Sequence, residues 1–137
     1  MAAATFGTSC TPGANAQVVT HKNSVAIAIG QVVTVDDTDA EKRLILADDS
    51  TAVKANARGI AVSTATVANQ RVSVVWDGDV DNCTAGVQFE ARYVSDTPGS
   101  ACPVADLGAL DYGTSLGIYK TTTTFTVKIL ATGVAHA

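Results

Sequence analysis

The strongest constraint on this chain is a two-residue alternation of apolar and polar side chains that recurs through its sequence. Val72, Val74 and Trp76 alternate with Arg71, Ser73 and Val75. Val87, Phe89, Ala91 and Tyr93 alternate with Gln88, Glu90 and Arg92, and Phe125, Val127 and Ile129 with Thr124, Thr126 and Lys128. Successive side chains of a strand point to opposite faces, so each run predicts a strand with one buried face. That pattern buries Trp76. Earlier, Val25, Ile27 and Ile29 alternate with Ser24, Ala26 and Ala28; Gly30 breaks the run and Gln31 to Val35 begins another. Hydrophobic residues make up 47% of the 137, aromatics only 5%, so a core has to be assembled from Val, Ile, Leu and Ala. β-Branched side chains suit a pleated surface, and the run Thr121 to Thr124 favours extended backbone for the same reason.

The intervening segments read as connections. Asp36-Asp37-Thr38-Asp39 forms a polar turn and Arg43 to Ala47 a short apolar run. Asp48, Asp49 or Ser50 caps a brief helix through Ala57, with Gly59 just past its end. Thr97-Pro98-Gly99-Ser100 is a loop, and Ala105 to Leu110 supplies one helical turn. Met1 to Asn23 is small and polar, with Gly7, Pro12 and Gly13, and reads as an extended arm anchored by Phe6 and Val18/Val19. Such an arm is either frayed or orders by adding a strand to a partner. The expected fold is mainly β: a small compact β-barrel or β-sandwich with one or two short helical turns. Residues 1–23 form the extended N-terminal arm and residues 24–137 a single β-rich domain.

Two stretches are alike. Gly59-Ile60-Ala61 leads through Ser63 to Thr66 into Val72-Ser73-Val74 and Gly78; Gly117-Ile118-Tyr119 leads through Thr121 to Thr124 into Phe125-Thr126-Val127 and Gly133. Gly30-Gln31-Val32 and Gly86-Val87-Gln88 open comparable runs upstream. A near-constant spacing flags a repeated unit, here two similar β halves. Coincidence within Gly-rich β sequence is the rival explanation, and the residues alone leave both open.

Chemistry is sparsely encoded. Net charge is −4 and the nine Lys and Arg are scattered, which speaks against a phosphate-binding surface. No apolar stretch approaches the ~20 residues of a membrane helix. The start lacks the basic and apolar regions of a signal peptide, so synthesis in a cytoplasm is expected. Cys10, Cys83 and Cys102 lie far apart without metal-ligand spacing and read as reduced, partly buried thiols. Gly113-Thr114-Ser115-Leu116-Gly117 matches the nucleophile-elbow pattern, but a Thr-rich strand follows it and no acid lies downstream before His136. Asp77-Gly78-Asp79-Val80-Asp81 alternates acids like a calcium loop, yet Asn82 and Gln88 stand where that loop needs Gly and Glu. An Asp-Gly pair between strands reads instead as a tight hairpin. Asn82-Cys83-Thr84 fits a glycosylation acceptor by chance, and His21 and His136 stand alone. Asp36, Asp37, Asp48 and Asp49 read as solvated turn acids. Neither a catalytic residue nor a cofactor or metal site is expected.

Arg58 to Val80 and Asp106 to Val134 together resemble the small head-decoration, or cement, proteins of bacteriophage capsids. Those proteins tend to carry a Gly-Ile-Ala followed by Thr/Ser residues and a Val-rich strand ending in a Gly-Val turn, and Gly59-Ile60-Ala61 and Gly117-Ile118-Tyr119 stand in those places here. Tyr93 to Gly99 is similar to the loop between their β segments, whereas Tyr119 departs from the expected alanine. The resemblance implies a non-enzymatic homotrimer, made in the host cytoplasm. It would sit at three-fold positions on the outer surface of the virion, bound to the major capsid protein. It also implies that the arm makes the capsid contact, through Thr5, Phe6, Pro12, Val18 and Val19. Nucleic acid, membrane and cofactors have no part in it. Rival expectations are another virion component, such as a head or tail fibre or a tail protein, and a carbohydrate-binding β module. A fibre would show continued repeats or a coiled coil; a carbohydrate module would expose several Trp or Tyr.

Overall fold

The computed structural model describes residues 3–107 and 112–135. Strands take 44% of the structure and helix 5%, so the mainly β expectation holds. In chain order the strands are β1 (Thr11–Pro12), β2 (Gln17–Lys22), β3 (Val32–Val35) and β4 (Leu44–Leu46). After helix α1 (Ala52–Ala55) come β5 (Gly59–Ala61), β6 (Arg71–Asp81), β7 (Ala91–Val94), β8 (Ala101–Cys102), β9 (Tyr112–Tyr119) and β10 (Phe125–Ala135). They form one antiparallel sheet in the order β4-β3-β5-β6-β10-β9-β7-β8, curled into a half-barrel, with β1 and β2 also paired to β6.

The order reads the same from both ends. In β3–β6 the first strand pairs with the second and third, and the third with the fourth; β7–β10 repeats that connectivity, and the two fourth strands join. Registers agree as well. Val33 lies opposite Gly59 and Arg92 opposite Gly117; Ala61 lies opposite Val74 and Tyr119 opposite Phe125. The two Gly-Ile segments are thus topological equivalents. Gly86 opens no strand, so the upstream match with Gly30 does not hold. At the seam Asp77 faces Lys128, 3.9 Å apart as an ion pair.

Apolar packing lies on both faces of β6. Val72 and Val74 join Ile27, Val33 and Leu44 in one cluster, while Val75 and Val80 join Ile60, Leu116, Phe125 and Val127 in a larger one. The alternation at Phe125 and Val127 is borne out, both being fully buried. Helix α1 is capped by Thr51, whose side chain accepts from the Lys54 amide, one residue beyond the expected capping positions. A 3-10 turn spans Val104–Asp106; the expected turn's residues 108–110 lie outside the described residues.

Three local expectations are corrected. Residues 24–29 form no strand: Ile27 makes an isolated bridge to Ala65 and Val25 is exposed. The cause is Asn23, fully buried, whose amide donates to the Val25 and Val67 carbonyls (2.6 and 2.8 Å) and accepts from the Gln70 amide (2.8 Å). The run at 87–93 contributes only β7, in the opposite phase, with Arg92 and Val94 buried and Val87 and Phe89 exposed. A turn closed by the Glu90 amide on the Val87 carbonyl, with Phe89 at φ +68°, absorbs the earlier residues. Asp77-Gly78-Asp79 is no hairpin but runs through β6, because β10 pairs along one side while the Gly13 amide bonds the Asp79 carbonyl on the other (2.8 Å). Gly78 has φ +95°, and a Cβ there would press on Asn15 and Ala16 as the N-terminal segment crosses.

The N-terminal segment is extended, as expected, but its partner is its own domain. Ala4 and Ala101 exchange amide-to-carbonyl bonds (3.0 and 2.8 Å), the Phe6 amide reaches the Gly30 carbonyl, and the Thr84 amide the Phe6 carbonyl (both 2.9 Å). Gly30, at φ +87°, leaves the space through which Gly7 passes. Phe6 is 1% exposed and lies against Phe125, ring centroids 4.5 Å apart, with Tyr119 edge-on to Phe125 at 5.2 Å. A buried Phe cut to Ala leaves a cavity costing ~3–5 kcal/mol, so Phe6→Ala should lower the urea-unfolding free energy by that amount. Removal of residues 1–20 should abolish the cooperative transition and the β circular-dichroism signal; a deletion that melts normally would contradict the in-chain packing.

Candidate interaction surface

The expected contact residues of the arm separate. Phe6 is core, Val19 packs against the smaller cluster, and Thr5 is half-buried with its hydroxyl accepting from the Gly7 amide (3.3 Å). Pro12 and Val18 remain exposed, on β1 and β2. Burial of Phe6 removes it as a docking residue, a correction forced by its fit between the two halves.

The elbow pattern Gly113 to Gly117 lies within β9, Ser115 facing Tyr93 and Leu130 across the sheet. Continuous strand replaces the strand-turn-helix that an elbow needs. His136 lies outside the described residues. In β6, Asp79 is bound by Lys120 Nζ (3.1 Å) and the Thr126 hydroxyl (2.8 Å), and Asp81 accepts from the Thr124 hydroxyl (3.3 Å). Among the described residues no three His, Cys, Asp or Glu side chains come together to hold a metal ion. The turn acids are not all solvated. Asp36 and Asp39 are tied into their turn, Asp39 drawn down to about 2 chiefly by its hydrogen bond from Arg43, whereas Asp48 and Asp49 are buried. Asp48 accepts from the Ser50 amide (2.9 Å) and the Ser50 hydroxyl, closing the turn before α1.

What the surface offers is an open groove at the seam. A concavity of about 280 Å³ is lined by Ala57, Arg58, Trp76, Asp77, Lys128 and Ile129. Trp76, expected inside, is 44% exposed. Between the pairs Val18–Val75 and Gln17–Asp77 the β6 strand carries one extra residue, Trp76, and such a bulge leaves its residue outside the ladder. Val18, 45% exposed, flanks the same bulge. Arg58 donates from Nε to His21 Nε2 (3.2 Å), and among the described residues no carboxylate pairs with it. Arg58 is therefore a cation beside an exposed indole. Neither feature is legible in the sequence, because alternation without the bulge sends Trp76 inward, and the pairing of Arg58 with His21 spans 37 residues.

A second exposed apolar group sits in the other half. Phe89 is 72% exposed, Val87 in the same turn and Ile118 on β9 are exposed as well, and the Phe89 amide bonds the Tyr119 carbonyl (2.7 Å). A bulky side chain at positive φ is strained, and this one gains no core packing in exchange. No family model matches the chain, and neither a curated protein nor a solved structure matches it. Among the described residues no helix is long and apolar enough to cross a membrane.

His21 ties the groove to pH. Its proton affinity is lowered, first by burial and then by the Arg58 charge. A base depressed in the folded state binds its proton more readily unfolded, so its contribution is whole above the ordinary 6.5 and declines as pH falls through that value. The urea midpoint should therefore fall between about pH 7.5 and about pH 5.5, and His21→Gln should flatten that slope. Fluorescence gives an independent check, since Trp76 is the sole tryptophan. Native emission should be solvent-shifted and readily quenched by acrylamide; a blue, unquenched spectrum would put the indole back in the core.

Proposed function

We propose that the chain is a viral structural protein that decorates and stabilises a phage capsid, binding as trimers at three-fold positions of the major capsid protein shell. It acts by binding rather than by catalysis. The observation that carries the reading is a pair of exposed aromatic anchors, Trp76 and Phe89, each held out by irregular backbone. A clamp that joins its own copies and also grips a shell needs two contact surfaces, and aromatic anchors on rigid elements are the residues that carry such contacts. The sequence resemblance supplies the shell as partner. With Phe6 in the core, the capsid contact falls on the Trp76 groove, with Arg58 and the exposed Val18 and Pro12. The Phe89 turn is left for the sister copies. Many weak, symmetric contacts then add through multivalency.

A carbohydrate-binding module is the second reading, and one observation favours it: an indole face open to a groove that also holds Asp77 and Arg58. Stacking on a sugar needs that openness. A binding module of that class usually presents further aromatics beside the first, and among the described residues the groove lining contains Trp76 alone.

Co-sedimentation with expanded, undecorated capsids of the parent phage separates the two. The expected result is saturable binding at a multiple of three copies per three-fold position. Trp76→Ala should weaken it at least about 10-fold, the loss of one hot-spot anchor. Phe89→Ser should lower the trimer fraction in sedimentation velocity while the monomer stays folded. A chain that remains monomeric, ignores capsids and shows Trp76 fluorescence shifts with oligosaccharides would replace the capsid reading with the second.

A further inference from the structure

Cys10 and Cys83, distant in sequence, are neighbours in space. Cys10 follows the Phe6 segment and Cys83 follows the end of β6, and their sulfurs are 3.9 Å apart. Both are buried, at 2% and 5% exposure. The Cys10 sulfur also lies 3.1 Å from the Phe6 carbonyl oxygen and the Cys83 sulfur 3.4 Å from that of Val80, so each thiol is seated by local backbone. Cys102 lies elsewhere in the topology, on β8 opposite Tyr93.

We infer that Cys10 and Cys83 form a thiol–disulfide site that closes, on exposure to a small-molecule disulfide of the glutathione class, into an intrachain bond. Closure shortens the sulfur–sulfur distance from 3.9 Å to the ~2.0 Å of a disulfide. Cys10 is the attacking sulfur. Its thiolate is favoured first by the side-chain contact with Cys83, while Cys83 is pushed the opposite way by the same contact and by burial. Cys10 is also flanked by the exposed residues Thr8, Ser9, Thr11 and Pro12, so a local excursion of that stretch brings it to solvent.

The exchange balances in two steps. The Cys10 thiolate attacks one sulfur of the small disulfide; that S–S bond breaks, a mixed disulfide forms at Cys10 and one small thiolate leaves with the proton Cys10 gave up. The Cys83 thiolate then attacks the Cys10 sulfur, forming the Cys10–Cys83 bond and expelling the second small thiolate, which takes the Cys83 proton. Two protein thiols are oxidised and one small disulfide is reduced to two thiols. The product ties the N-terminal segment to the far end of β6, where β1 already pairs with it. A chain that folds reduced and later meets oxidising surroundings gains a covalent staple without refolding. The inference is independent of the capsid reading.

The test uses the full chain. It is incubated with oxidised glutathione, quenched with an alkylating agent, digested without reduction and mapped by mass spectrometry. The expected product is a peptide linked through Cys10 and Cys83 in the wild type and in Cys102→Ser, absent from Cys10→Ser. The oxidised protein should melt roughly 10 °C above the reduced form, because the bond closes a long loop. A linkage to Cys102, a dimer joined between chains, or a Cys10 that keeps its glutathione without resolution would each overturn the assignment. So would three thiols that stay fully alkylatable. Mapping the wild type alone decides the matter if a serine variant fails to fold.

Discussion

The fold depends on Phe6. Two sheet halves that meet along one pair of strands, β6 and β10, present an aromatic pair, Tyr119 and Phe125, that needs a third ring to cover it. Phe6 supplies that ring, and the backbone on either side binds both halves: Gly30 precedes β3 in the first, and Ala101 lies on β8 in the second. Once the ring is seated, the following residues can do little but run along β6, which they do as β1 and β2. A mostly aliphatic chain with 5% aromatics thus spends three of its few rings on one junction. Burial of an aromatic contributes more per residue than any aliphatic substitute, and tilted and edge-on ring pairs add to it.

The same segment shapes the surface. β6 is long because it has partners on both edges along its length, with β5 and then β10 on one side and β2 and then β1 on the other. Two neighbours of different register cannot both be matched by a regular strand. The extra residue at Trp76 absorbs the mismatch, and a side chain destined for the interior is turned out beside Arg58. The groove at the seam is therefore a by-product of how the halves and the N-terminal segment share one strand. Its position is consequently as rigid as the sheet, which is what a docking anchor requires.

Period-two patterning showed the fold class and the strongest strands plainly, β10 best of all, since Phe125 and Val127 face one continuous core. It failed where a single residue changed the count. Asn23 satisfies three backbone groups with its side chain and so cancels a strand that Val25, Ile27 and Ile29 spell out. The Phe89 turn reverses the phase of the next run, and the Trp76 bulge reverses the fate of one indole. Asp77-Gly78 carries a hairpin signature that the neighbouring strands override, with Gly78 kept for the crossing of Asn15 and Ala16. The nearness of Cys10 to Cys83 is a long-range consequence of Phe6 packing and left no trace in their spacing. Local signals report local preference; each miss lies where a tertiary partner decided otherwise.

The repeated connectivity explains why Tyr119 breaks the motif. Ala61 and Tyr119 occupy equivalent places, opposite Val74 and Phe125, but they serve different cores. Ala61 packs in the aliphatic cluster with Ile27 and Leu44, where a ring would collide with residues already in place. Tyr119 stands in the larger core, directs its hydroxyl to the Thr84 carbonyl (3.3 Å) and offers its face to the buried Arg92, 5.4 Å from the ring centre. That arginine lies opposite Gly117, the position matched in the other half by Val33 facing Gly59, and it is neutralised by Glu90 at 2.7 Å. The smaller core, built from the first half alone, is therefore purely aliphatic, while the larger core that both halves share holds the rings, with the Arg92–Glu90 ion pair beside them. The asymmetry is what lets a single N-terminal ring find one seat rather than two, since only the half with Tyr119 offers an aromatic wall. A symmetric pair of halves would give the segment two equal destinations; this pair gives it one.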